Sequence, residues 1–349
     1  MSNHFDAAPS QSAAGNLRGF DAEFTDIVDY ILRITRRIWE GKQVGLCRDY
    51  YSDDCPVYTL AGYTEGAEEV TQNTLKTLAG FPDRTLHADN IIWGGDDQEG
   101  FHTSHLISTY MTNLGRTEFG EATGKRAHIQ VIAHCVVREN KIVEEWLVRD
   151  NYALCLQLGA DPLAYAQQKA REVFDPSSQF AKWLSEEHTR VGALPRERKR
   201  AENSESVSTK IADGVSNVWN ARLIGDTHLV YAQYARLHAS ARPTFDGIES
   251  IQRFYMEILG ALPDAKISID YICDNSMLSG DYVAIRWTLA GHHTGNGLWG
   301  AATSAPVLIL GESQYRLERG RVVEEWLVFD ELAVLTQIER ARLAIQDAN

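Results

Sequence analysis

Apolar residues recur at three- and four-residue steps early in the chain, at Ile27, Tyr30, Ile31, Ile34 and Ile38. That stripe predicts an amphipathic helix. A second helix is predicted from about Glu68 to Leu78, stopping ahead of Pro82-Asp83 as helices do before proline. The pattern then turns β-prone over His105–Met111 and Ile129–Ala133, and residues 139–141 read as a tight turn between two long strands. The order repeats later in the chain. Val215, Val218, Trp219 and Leu223 open it, and a helix from about Ile248 to Leu259 precedes Pro263-Asp264. Strands over Ala284–Leu289 and Val307–Leu310 follow, with a turn at 319–321. Helices followed by an antiparallel meander form an α+β pattern, not βαβ.

The recurrence is a tandem duplication. Val143-Glu144-Glu145-Trp146-Leu147-Val148 with Asp150 returns 180 residues on as Val323-Glu324-Glu325-Trp326-Leu327-Val328 with Asp330. Trp39 and Trp219, Gly100 and Gly280, Gly115 and Gly295, and Gly120 and Gly300 keep that offset. Gly66 and Gly247 are shifted by one more. A repeat this long is a whole domain able to close its own core. The reading is a disordered tail at 1–20, one copy at 21–158, a helical segment and charged linker at 159–209, and a second copy at 210–349.

Composition narrows the classes. Apolar residues make up 44% of the 349, enough for two ordinary cores. The net charge of -14 argues against a broad phosphate-binding surface, so no nucleic acid is expected, and the short basic run at 196–200 reads as solvated linker. No apolar run reaches membrane-span length, and the first nineteen residues carry no signal-type segment. Five cysteines, an odd number without a CxxC, fit free thiols in a reducing cytoplasm. His128 and His134 lie some 20 Å apart along one strand and cannot share a metal, so no metal or cofactor is expected.

The second copy reads Pro263-Asp264, then Gly280-Asp281-Tyr282-Val283 with Arg286-Trp287-Thr288, then Gly291-His292-His293-Thr294-Gly295. It closes on Arg316 through Trp326 and Asp330. It resembles the SnoaL-like polyketide cyclases of the nuclear transport factor 2-like superfamily. The first copy resembles them at its ends, through Ile38-Trp39, Tyr50-Tyr51, Gly62 and Gly66, and then Lys141–Trp146 with Asp150. Its middle departs: Asn113 stands for His293, Leu106 for Arg286 and Val136 for Arg316. The resemblance implies a curved antiparallel sheet wrapped around helices as a cone, with a pocket at its open end. It implies an intrachain pseudo-dimer, with a further homodimer as an option. It also implies that the Asp after the tryptophan is a general acid/base, which places Asp330 and Asp150 in that role, with His293 as partner.

Strand parity places Glu324, Trp326, Val328 and Asp330 on one face, and His293 with Trp287 on one face. If those faces turn inward, an acid and an imidazole share an apolar cavity. His238, Trp287, Trp326, Tyr58, Trp146, Asn113 and His105 are then substrate-contact candidates. Asp150 and Asp330 have a second reading as helix N-caps. His293 could equally be a turn residue, and the two tryptophans core anchors. The expected function is a cofactor-independent cyclase, isomerase or dehydratase acting on a small hydrophobic carbonyl compound. The alternative is a non-catalytic binding or scaffolding protein.

Overall fold

The computed structural model describes residues 17–199, 206–240 and 242–347. Each half of the chain builds the same α+β series. In the first, helix α1 (Ile27–Thr35) runs on through a wide turn to Glu40. Then come α2 (Cys47–Tyr50), strands β1 (Pro56–Thr59) and β2 (Gly62–Glu65), and helix α3 (Gly66–Gly80). Strands β3 (Thr85–Asp96), β4 (Gly100–Thr112), β5 (Arg126–Arg138) and β6 (Lys141–Arg149) follow, and α4 (Asn151–Leu158) closes the module. Helices α5 (Pro162–Ala170) and α6 (Gln179–Gly192) join the halves. The second half repeats the plan with α7 (Val207–Ala221), α8 (Thr227–Val230), β7 (Tyr231–Ala239), β8 (Phe245–Asp246) and α9 (Ile248–Ala261). It continues with β9 (Lys266–Met277), β10 (Gly280–His292), β11 (Pro306–Glu318), β12 (Arg321–Phe329) and α10 (Glu331–Asp347).

Local chemistry explains these elements. Asp26 caps α1 by accepting from Asp29 N, and the helix buries Ile27, Tyr30, Ile31 and Ile34, most of the predicted stripe. Two-residue turns close the long hairpins at Glu139-Asn140 and Arg319-Gly320, all four at positive φ, which matches the twist of the flanking strands. The repeated Gly115 and Gly295 have a steric cause: a Cβ would lie 2.1 Å from Ala79 O in one module and 1.7 Å from Gly260 O in the other.

The sheets run β2-β1-β6-β5-β4-β3 and β8-β7-β12-β11-β10-β9. Neighbours are antiparallel except β1 with β6 and β7 with β12, which are parallel. Extra residues interrupt the registers at Asp89 and Asp270, and again at Val143 and Val323. A bulge bends its strand, and these matched bulges curl each sheet around its own helices.

The outer faces of the two sheets meet. Gln314 accepts from Asn90 Nδ2 at 3.0 Å and donates to Ser104 O and Oγ at 2.9 Å. Asn275 accepts from Trp93 N, and the guanidinium of Arg286 lies 3.4 Å from the Trp146 ring centroid. Helix α6 covers part of the second sheet, where Arg190 holds Ser268 and Asp270. Of the expected tail, residues 1–16 lie outside the described residues, whereas Leu17 and Phe20 pack on the first core, Phe20 at 5.1 Å from Tyr30. Of the expected charged linker, residues 200–205 lie outside the described residues, and Lys199 is tied at its backbone to the Asn217 side chain. Among the described residues no helix is long and apolar enough to cross a membrane.

Candidate active site

Beyond the Val143 bulge, alternate residues of β6 turn inward: Glu145, Leu147 and Arg149. Their cross-strand partners on β5 are Cys135, Ala133 and Val131, and Ala133 and Val131 face His105 and Ile107 on β4. These strands, with α3, the β1–β2 hairpin and the loop at 116–119, border a cavity of about 620 Å³. A recess of about 60 Å³ adjoins it, and Trp39, Tyr51, Arg84, Glu145 and Arg149 line both.

Lys76, Arg116 and Glu118 line the cavity from exposed positions, and its inner polar groups are Tyr51, Arg84, Glu145 and Arg149, with His105 in the recess. The Tyr51 hydroxyl donates to Glu145 Oε2 at 3.0 Å. Burial pushes the Glu145 carboxyl up, against the opposing pull of that hydrogen bond and of Arg149. Arg84 donates from Nε to Thr109 Oγ1 at 2.9 Å and lies over the Trp39 ring. Burial and the neighbouring Arg149 pull Arg84 down to about 9, so it stays charged at neutral pH. Arg149 Nε is buried without a hydrogen-bond partner. His105 is also buried, with Nε2 unpartnered, and desolvation lowers it to about 4, so the imidazole is neutral. The inner end of the chamber therefore combines an acid with a raised pKa, a neutral imidazole in the recess and two guanidinium groups, a set able to move a proton and hold a developing oxyanion.

The second module keeps only the Tyr–Glu pair. Tyr231 donates to Glu325 at 2.6 Å, and burial raises that carboxyl to about 7. Elsewhere its interior is filled. Where the first module has Cys135, Thr74, Asn73 and Ile107, the second has the buried Tyr315, Tyr255, Phe254 and Trp287. Where the first has Arg84, His105, Thr109 and Arg149, the second has Ala265, Ile285, Leu289 and Phe329. All of these join one continuous core.

Of the candidate site residues read from sequence, His105 alone lines this space, and it does so in the small recess. Parity grouped the strand residues correctly, but Trp146 and Trp326 lie on the outer, sheet-to-sheet face, and Glu145 and Glu325 on the inner one. Trp146 stacks on Tyr58 at 5.5 Å and Trp326 on His238 at 5.7 Å, while His238 Nε2 sits 2.9 Å from Glu324. Trp287 is interior, with Nε1 donating to Ser313. His293 and Asn113 serve one equivalent purpose: His293 contacts Thr303 Oγ1 at 3.2 Å, and Asn113 accepts from Thr123 N and Oγ1, each pinning the loop after its strand. Asp150 and Asp330 accept from Ala153 N and Ala333 N at the starts of α4 and α10. Asp330 also accepts from Asn151 Nδ2 at 2.6 Å, across the module boundary. Among the described residues no hydrogen bond joins Asp330 to His293.

Tyr51, Arg84, Glu145 and Arg149 were missed. The available signal was asymmetry between the copies: a charged residue at Arg149 where the repeat carries Phe329, and at Arg84 where it carries Ala265.

Asp330 supplies a stability test. Burial raises its pKa to about 7, with Asn151 and Ala333 opposing. A carboxyl whose folded pKa is raised gives stability that is full below its unfolded value and lost as pH rises through the folded one. Asp330→Asn keeps the cap, because Asn and Asp cap equally well. The expected result is a gain on the order of 1 kcal/mol at pH 8 and a shallower slope between pH 5 and 8, read as urea midpoints. Asp330→Ala should instead lose about 1 kcal/mol through the missing cap. An Asn variant as weak as the Ala variant at pH 8 would count against this account.

The SnoaL-like polyketide cyclase family matches the sequence twice, over residues 29–158 and 209–338. Solved structures similar to single modules include IdmH from Streptomyces antibioticus, at 22% identity and TM-score 0.34, covering 38% of this chain and 99% of that one. TsrD from Streptomyces laurentii aligns at 16% identity and TM-score 0.34, covering 39% and 96%. A SnoaL-like polyketide cyclase from Agrobacterium tumefaciens aligns at 17% identity and TM-score 0.32, covering 38% and 97%. No curated protein matches the sequence.

Proposed function

Because the chain belongs to the SnoaL-like polyketide cyclase family over both of its halves, we propose that it is a cofactor-independent acid–base enzyme of the cyclase or isomerase type, working in the first module alone. The observation that carries this reading is the contrast between two equivalent glutamates. Glu145 stands in an open chamber, and Glu325 is sealed among Tyr231, Tyr315 and Ser313. Glu145 takes a proton from the carbon next to a substrate carbonyl. The C–H electron pair moves to the carbonyl oxygen, and the resulting enolate is held by the cationic side of the chamber and the His105 imidazole. Return of the proton to another carbon is isomerisation; attack of the enolate carbon on a second carbonyl is ring closure. Asp330 and His293 keep structural parts in this reading. The scaffolding alternative has support in the second module, whose filled cone serves as a wall for the first.

Thr74→Tyr tests the assignment by placing the second module's Tyr255 in the first module's cavity. The readout is NMR-detected deuterium uptake into a panel of bicyclic and tricyclic aromatic ketones and 1,3-diketones. The expected result is accelerated exchange by the wild type on at least one probe, loss of that acceleration in Thr74→Tyr, and its survival in Asp330→Asn. Undiminished exchange in Thr74→Tyr, or no acceleration by the wild type on any probe, would overturn the proposal.

A further inference from the structure

Arg84, Arg149 and Glu145 stand at the inner end of the first module's chamber, with Lys76, Arg116 and Glu118 at exposed positions of its lining. Arg84 spends one N–H on Thr109, and Arg149 leaves Nε buried with no partner. Among the described residues neither has an ion-pair partner. Glu145, Glu118 and Asp330 act on Arg149 through space, yet burial still lowers its pKa, so holding a cation here is costly, and the second module shows that the fold does not need these cations, since Ala265 and Phe329 complete its core at the same positions. The cations occur only where there is open volume.

We infer that the first module's cavity takes a ligand bearing a carboxylate, gripped by Arg149 beside Arg84, with its apolar body lying against Trp39 and Leu147. This rests on that cavity being the working site and names the substrate class for it. A guanidinium presents two parallel N–H donors that match a planar carboxylate. Arg149 sits four residues along β6 from Glu145, about 13 Å by strand rise. A substrate anchored at the guanidinium end thus extends its body toward the acid, so that the reacting carbon is set apart from the anchoring group. Glu145 on the same strand disfavours a second negative charge, which selects a singly charged oxyanion over a phosphate dianion.

The test is direct binding by calorimetry with matched pairs: 1- and 2-naphthoate and 9-anthroate, against their carboxamides and against naphthyl phosphate. The wild type is expected to bind at least one carboxylate about tenfold or more tighter than its amide, and tighter than the phosphate. In Arg149→Met that preference should fall to within about threefold while amide binding persists, which also shows that the chamber is intact. Glu145→Gln should leave carboxylate binding unchanged or tighter, so that failure of the acid–base reading and failure of this inference are told apart. Equal binding of acid and amide by the wild type, a preference that survives Arg149→Met, tighter binding of the phosphate, or no binding by any carboxylate in the panel would each overturn it.

Discussion

On the proposed reading, Glu145→Gln is expected to lower the rate of proton abstraction by about 10²–10⁴-fold, the usual contribution of a positioned general base. The substitution keeps the size of the side chain and an acceptor for the Tyr51 hydroxyl, so the chamber should keep its shape. What it removes is a basic oxygen. The pH profile separates this from a packing effect. Burial raises the Glu145 carboxyl above its ordinary range, and the base is active when ionised. The wild-type rate therefore climbs with pH through that raised value and levels off above it, and the glutamine variant loses the climb. Glu325→Gln, at the equivalent position of the filled module, serves as the control and should leave the rate within about threefold, since it touches no substrate. An equal loss from Glu325→Gln, or a retained acid limb in Glu145→Gln, would move the chemistry elsewhere.

The sequence made the duplication and the α+β class legible because hydrophobic period and turn chemistry are local properties. The stripe of α1, the Pro-Asp stops after α3 and α9, and the hairpin turns all follow from residues a few positions apart. Faces were harder. Strand parity separates two sets of side chains but does not say which set turns inward, and the tryptophan-bearing set was taken for the pocket. Trp146 and Trp326 instead supply apolar surface where the sheets meet, a role that exists only once both modules are folded. The bulge at Val143 hid the answer further. It brings Ile142 and Glu145 to the same inner face, three residues apart, a spacing that simple alternation forbids. Asp150 and Asp330 repeat because both modules start a helix there; capping is a local requirement, so duplication preserves it. The resemblance to known cyclases was also strongest in the second copy, which drew the expected chemistry to the module whose interior is closed. A family pattern records what a fold needs to form as well as what it does, and here the better match to the pattern belongs to the filled cone.

One cross-strand exchange contributes to the filling of the second cone, and swapping it should produce a large coupled stability effect. Trp287 pairs with Gly311 in the second sheet where Ile107 pairs with Val131 in the first. The glycine is a steric necessity: a Cβ at position 311 would lie 2.1 Å from a Trp287 ring carbon, in a core with no slack. Gly311→Val alone drives two methyl groups into the indole and should cost about 3 kcal/mol, at the upper end for overpacking. Trp287→Ile alone leaves a void beside Gly311 and strips Ser313 of its indole donor, with a cost of about 3 kcal/mol or more. Together they install the first module's own pair. Independent effects would sum to about 6 kcal/mol, but the valine then occupies space that the indole has vacated. The double variant should thus recover about 2 kcal/mol or more relative to the sum, within the range of coupling seen for touching residues. Urea midpoints of the four proteins give the coupling directly. Simple additivity would show that the two positions do not share one packing problem, and that something other than this pair closes the second module's interior.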